Sequence, residues 1–343
     1  MITVKINKKS YSFFSSYEIG LRFDSIASTF SLSAFFEPDN SDHKKIFKPL
    51  SFNTVEIFHN GKIILTGYIV NVSFGSSSIK ELITISGYSK SGVLEDCSIP
   101  KSVYPIQFEG LTLAQIATKV CEPFGISVLI DSSVSSEANE VLSLDGAKET
   151  DTVKQYLVNL CNQKNLILSH NEFGNVIITR TKADQKPIQS FTDQSNAVSM
   201  SLDTKGQKMF SENFVMGQAG IDTNNAAEAS VSNPYINILR SSTTLQTSGT
   251  DNDSESVASD ILAKQLRGIN LVMEFDNILF SNNSLFVPNK VINVINKEIY
   301  LYNVTKFFIE SVTLRGDSDS ETGILNCVLP EVYNKQIPTN IFG

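Results

Sequence analysis

The residues able to carry chemistry are few and scattered. The chain has three histidines, His43, His59 and His170, and four cysteines, Cys97, Cys121, Cys161 and Cys327. A structural zinc site needs paired cysteines at short spacing, and a catalytic one needs histidines and carboxylates in register. Neither pattern occurs. The histidines neighbour Lys44, Asn60 and Asn171, so each reads as a solvated turn residue. The cysteines read as reduced packing residues of a chain made in a cytoplasm. No G-x-S-x-G elbow, H-E-x-x-H helix or phosphate loop is present. The acidic run Asp251-Asn252-Asp253-Ser254-Glu255 lacks the glycine and distant glutamate of an EF-hand. It reads as a cap on a following helix, whose dipole favours carboxylates at its start. Asp317-Ser318-Asp319-Ser320-Glu321 reads as a solvated hairpin tip. Glu95 and Asp96, as strand neighbours, would face opposite ways and could not share a proton. Catalytic, cofactor-binding and metal-binding residues are therefore all assigned as none, and the chain reads as not an enzyme.

Composition narrows the partners. A net charge of −8 over 343 residues argues against sequence-specific nucleic-acid binding, which needs clustered Lys and Arg. Lys44, Lys45 and Lys48 read as a solvated loop. No run of 18 apolar residues predicts stable membrane insertion, and the start, MITVKINKKSY, is too polar for a secretory signal. The length allows two or three domains.

The elements that would position any site follow from periodicity. Val55 and Ile57, then Ile63 and Leu65, flank Asn60-Gly61, the strongest short-range signal for a type I′ hairpin. Further strands are predicted at Ile2–Ile6, Tyr17–Asp24, Ser31–Phe36, Thr66–Ser73 and Lys80–Gly87. That gives about seven strands before residue 100, with Asp24–Thr29 as the only helix candidate. Thr112-x-x-Gln115 opens a helix with a capping box, Leu113, Ile116, Ala117 and Val120 form its apolar face, and Gly125 ends it. The plan recurs 40 residues on: Thr152-x-x-Gln155, then Val153, Tyr156, Leu157 and Leu160, with Cys161 matching Cys121 and Asn165 matching Gly125. This predicts a duplicated helix–strand unit, closed by a hairpin at Glu172–Asn175. Beyond it lie a polar arm at 219–256, a helix from Ser254 to Arg267 with Gly268 as its stop, and a long final hairpin.

Three stretches resemble the baseplate hub proteins of Mu-like contractile-tail phages: NGKIILTGYI through SGYSKSGVLEDCSIP (60–100), LFVPN (285–289) and ESVTL (310–314). Tyr88 stands where that family usually carries arginine, and Phe286 where it carries tryptophan. The resemblance implies a mainly β fold with an α+β insertion: two tail-tube-like β-barrel or sandwich domains, 1–98 and 187–332, flanking the duplicated helix–strand domain, 99–186, with a loose tail at 333–343. It implies a structural hub in the virion, assembled in the host cytoplasm without a cofactor. This would be a homotrimer joining the six-fold tail tube protein to the trimeric central spike protein, with baseplate wedge and tape-measure proteins as further neighbours. The alternatives are a cell-wall-degrading tail enzyme or a host-surface adhesin.

Overall fold

Asn60 and Gly61 adopt φ of 48° and 78°, and His59 pairs with Lys62 across them, as the type I′ reading requires. A computed structural model describes residues 2–11, 14–76, 82–142, 150–195, 197–216, 228–245 and 254–342. The chain divides into two units, one of residues 1–180 with 313–322, the other of residues 181–312 with 323–343.

The first unit holds seven strands before residue 100: β1 (Ile2–Ile6), β2 (Lys9–Tyr11), β3 (Phe14–Arg22), β4 (Thr29–Phe35), β5 (Thr54–His59), β6 (Lys62–Gly75) and β7 (Leu82–Ser89). The second hairpin strand and the predicted third strand are one element, β6, carried past a register shift between Ile69 and Asn71. Of the expected helix Asp24–Thr29, residues 24–28 are turn, bend and irregular backbone and Thr29 already opens β4; the short helix α1 (Ser41–Ile46) lies elsewhere, capped by the Asn40 side chain. Gly61→Val is expected to cost about 1–3 kcal/mol, because a β-branched residue is strained at this φ while the Cβ itself meets open space. Chemical denaturation of the full chain measures it; an unchanged midpoint would show that the turn tolerates a side chain.

After the single turn of α2 (Val93–Asp96), the helix–strand units form as predicted: α3 (Leu113–Cys121) with β8 (Val128–Ile130), the short α4 (Ser135–Ala138), then α5 (Val153–Gln163) with β9 (Ile167–His170) and β10 (Val176–Thr179). Their exits match bond for bond. Gly125 and Asn165 both have left-handed φ, 63° and 52°, and Ile126 and Leu166 donate to the carbonyls of Cys121 and Cys161. Thr112 makes both bonds of its capping box, whereas Thr152 caps by accepting from the Gln155 N–H. Strand β10 lies between β8 and β9.

The second unit holds β11 (Ser190–Thr192), β12 (Ala197–Thr204), β13 (Glu212–Met216), β14 (Glu228–Ser232), β15 (Ser241–Leu245), α6 (Ser254–Leu266), β16 (Ile269–Phe275), β17 (Lys290–Asn296), β18 (Leu301–Asp317), β19 (Glu321–Val328) and α7 (Glu331–Asn334). The residues 217–227 and 246–253 of the arm lie outside the described residues, but β14 and β15 within its span are strands flanking β13. Gly268 ends α6 without a left-handed φ; a Cβ there would meet Met209 and the Lys205 carbonyl. The final residues are not loose: Asn334 bonds Asp184, Tyr235 donates to the Thr339 carbonyl, and Phe342 packs on Tyr235 and Tyr300.

The fold class needs correction. The architecture is mixed α/β with three open sheets, and none closes into a barrel. A large sheet of 13 strands ends in β2 and β12, each with one strand neighbour along its path. In the first unit, among the described residues, no strand pairing joins β5 to the 313–322 segment, and the contact between them is one of side chains: His59 Nε2 lies 4.0 Å from Glu321 Oε2. A barrel needs a continuous hydrogen-bond ladder around the seam. Here the seam carries a side-chain contact instead.

One regularity is stated by neither half alone. In the first unit the strands run β3-β4-β7-β6-β5-β1; in the second, β12-β16-β19-β18-β17-β11. Counting within each half, excluding β2 and the inserted β13–β15, this is the same order. The pairs match in direction except the last: β5 and β1 are antiparallel, β17 and β11 parallel.

Candidate functional site

The three histidines are not solvated. His43 and His59 are buried. His170, at the end of β9, is fixed by both ring nitrogens. Nδ1 lies 2.8 Å from the Ser25 carbonyl and Nε2 2.7 Å from Ser28 Oγ. A carbonyl can only accept, so Nδ1 carries the proton and Nε2 accepts from the Ser28 hydroxyl. This is a nucleophile–base spacing, so its chemistry must be weighed.

The surroundings argue for a structural junction. Ser28 is 4 % exposed, Ser89 1 % and Ser91 0 %. Ser28 N–H donates to Ser89 Oγ, Ser89 N–H donates back to the Ser28 carbonyl, and Ser91 Oγ donates to the Ile26 carbonyl. Ser169 Oγ donates to the Phe23 carbonyl. The hydroxyls of Ser89, Ser91 and Ser169 thus satisfy backbone groups of the 23–28 turn. The junction ties that turn to the exit of β7 and to β9. Burial lowers the His170 pKa, opposed by the Ser25 hydrogen bond and the Glu95 charge. Sequence reasoning missed it because residues 28, 89 and 170 share no spacing.

The motif at the β7 exit is built on the same region. Tyr88 donates to Asp96 Oδ2 at 2.6 Å, and its ring sits where a Cβ on Gly92 would go. Burial, then the Asp96 bond, pushes its phenol pKa far up. A tyrosine here keeps a partner for Asp96 without a charge. Lys90 Nζ reaches the Gly125 carbonyl at 2.5 Å. Glu95 and Asp96 lie on α2 rather than in a strand, and diverge to Lys154 and Tyr88.

The remaining candidates are placed as follows. Residues 251–253 lie outside the described residues. The 317–320 tip is exposed, with the Asp317 carboxylate held below its usual range by the N–H groups of Asp319 and Ser320. Burial pushes the Cys121 and Cys161 thiols up to about 12, away from the reactive thiolate. Among the described residues no group of three His, Cys, Asp or Glu could hold a metal ion.

Comparison with known proteins bears on the region just described. Residues 91–180 match the family "Baseplate hub protein gp44-like, second domain". The chain is 25 % identical to the baseplate hub protein gp44 of Escherichia phage Mu over 335 residues, covering 91 % of this chain and 83 % of the relative. The fold matches the 43 kDa tail protein of prophage MuSo2 from Shewanella oneidensis, with a TM-score of 0.83 at 21 % identity, covering 96 % of this chain and 98 % of that one. It also matches the tail protein of Neisseria meningitidis MC58, with a TM-score of 0.78 at 20 % identity and 98 % of both chains. In fold the chain is similar to these phage tail proteins. In sequence it is similar to the baseplate hub proteins of Mu-like phages, and that similarity, read above from three stretches, extends along most of the chain.

Proposed function

We propose that the protein works as a homotrimer that adapts the six-fold tail tube to a trimeric central spike. Its structural, non-catalytic role in the virion tail baseplate carries over from the hub proteins it resembles. The observation that supports the adaptor is the shared strand order of the two halves. Three chains, each with two such halves, would offer six similar units to the tube. A plain three-fold face would leave half of the tube's donors, acceptors and apolar patches without a partner.

The first unit offers a face suited to an axial channel. Across its strands run Ser16, Ser33, Thr84 and Ser73 in one row, and Glu18, Ser31, Ser86 and Asn71 in the next. The opposite face, with Ile19, Leu32, Ile83 and Ile85, is buried. A lining of hydroxyls and amides with little positive charge would let a polyanion pass without holding it. Tube, spike, wedge and tape-measure proteins are the partners of this reading.

Light scattering on the purified chain tests it. The expected mass is three times the 37.8 kDa of one chain. A monomer at micromolar concentration, together with no three-fold density in assembled particles, would sink the adaptor.

A further inference from the structure

The first unit carries opposite charge at the two ends of one strand. At the Thr54 end of β5, Asn7 donates to Asn53 Oδ1 and Thr54 N–H donates to Asn7 Oδ1. Asn53 also donates to the Ile46 carbonyl, at the end of α1, and Lys9 Nζ lies 4.0 Å from Asp42. These bonds gather Lys8, Lys9, Lys44, Lys45 and Lys48, all exposed, around Asp39 and Asp42. Amid them stand Leu50, 81 % exposed, and Phe52, 53 % exposed. Both have left-handed φ, 57° and 48°, a conformation that costs about 1–2 kcal/mol for such residues. Backbone strain that holds two large apolar side chains out into water is a mark of a functional surface.

At the other end of β5, about 17 Å away by strand rise, His59 faces Glu321. There the exposed tip carries Asp317 and Asp319. Arg315 beside the tip is already bonded to Glu18, so the tip itself stays acidic.

We infer that the lysine patch with Leu50 and Phe52 docks on the acidic hairpin tip, Asp317 and Asp319, of a second copy of this chain. The patch has an apolar centre and a charged rim, the anatomy of a protein interface. It contains no arginine for bidentate phosphate binding, and its two aspartates would repel a nucleic-acid backbone. In a chain of net charge −8, another copy supplies the acid. Unlike surfaces that meet head to tail generate a ring when the rotation closes, so this contact assigns residues to the trimer and rests on that reading.

The test is a charge swap in the full chain, read by light scattering across concentration and by thermal melting. Lys44→Glu with Lys45→Glu should lower the oligomer mass, or raise its dissociation constant at least tenfold. Ser318→Lys with Asp319→Lys should do the same. Both pairs combined should restore it, because the attraction is rebuilt with signs exchanged. All four positions are exposed, so each variant should still melt cooperatively, and its midpoint should match wild type at a dilution where wild type has dissociated too. A trimer that ignores both reversals overturns this contact, leaves the trimer standing, and frees the patch for an acidic partner of another kind or an anionic surface. A ring of another size that the reversals dissolve upholds the contact and overturns the trimer. A monomeric wild type overturns both.

Discussion

Gly67→Ala and Gly87→Ala should each unfold the first unit's sheet, with a loss of about 4 kcal/mol or more, the range kept for severe core disruption. A Cβ on Gly67 would sit 1.9 Å from the Tyr88 carbonyl oxygen, and one on Gly87 1.9 Å from the Tyr68 carbonyl oxygen. Both obstacles are backbone atoms of the facing strand, so no rotamer change relieves them. The β6–β7 ladder must part, exposing the buried Ile69, Ile83 and Ile85. These are the glycines of the TGY and SGY motifs, whose place in the sequence thus follows from close strand approach. Gly75→Ala is the control. Its Cβ would stand 3.7 Å from the Leu82 carbonyl oxygen, an ordinary contact, and its cost should stay within about 0.5 kcal/mol. Urea midpoints compare all three, and a Gly67→Ala protein as stable as the control would refute the account.

His170→Ala should cost about 2–4 kcal/mol, since it removes two hydrogen bonds and leaves Ser28 Oγ buried without its acceptor. It should also change how stability varies with acid. Burial favours the neutral ring, so the folded pKa lies below the ordinary value near 6.5. Between those two values the unfolded chain binds more protons than the folded one, and stability rises with pH. The contribution is therefore complete above pH 6.5 and is lost as pH falls toward the lowered pKa. His59 acts in the same direction, its pKa lowered by burial and by the N-terminal amino group, with Glu321 opposing. Removing His170 should flatten this part of the profile and leave the share of His59. An unchanged slope between pH 5 and 6.5 would show that His170 keeps its proton affinity on folding.

Local signals were legible where local physics decides. The Asn60-Gly61 turn, the Thr112 capping box and the left-handed exits at Gly125 and Asn165 are each set within a few residues. Alternation placed six of the seven strands before residue 100 and missed β2. What stayed hidden depends on partners far along the chain. His170 gives no sign in sequence that residues 25 and 28 will receive it. The open seam between β5 and the 313–322 segment is decided by how far the sheet curls, which no hydrophobic pattern encodes. The continuity of β6 was obscured because Thr66-Gly67 looks like a break. The anchoring of residues 333–342 depends on Tyr235 and Tyr300.

Strand β18 has a consequence for synthesis. Its end lies beside β3 and belongs to the first unit, although the rest belongs to the second. A ribosome reaches residue 313 only 291 positions after the end of β3 at Arg22. At about 5–20 residues per second, that leaves β3 waiting roughly 15–58 s for its neighbour. During the wait its edge hydrogen-bonding groups are open to any other nascent chain. The N-terminal half can therefore reach its final form only when the C-terminal hairpin has been made, and a chain truncated before that hairpin leaves β3 an open edge.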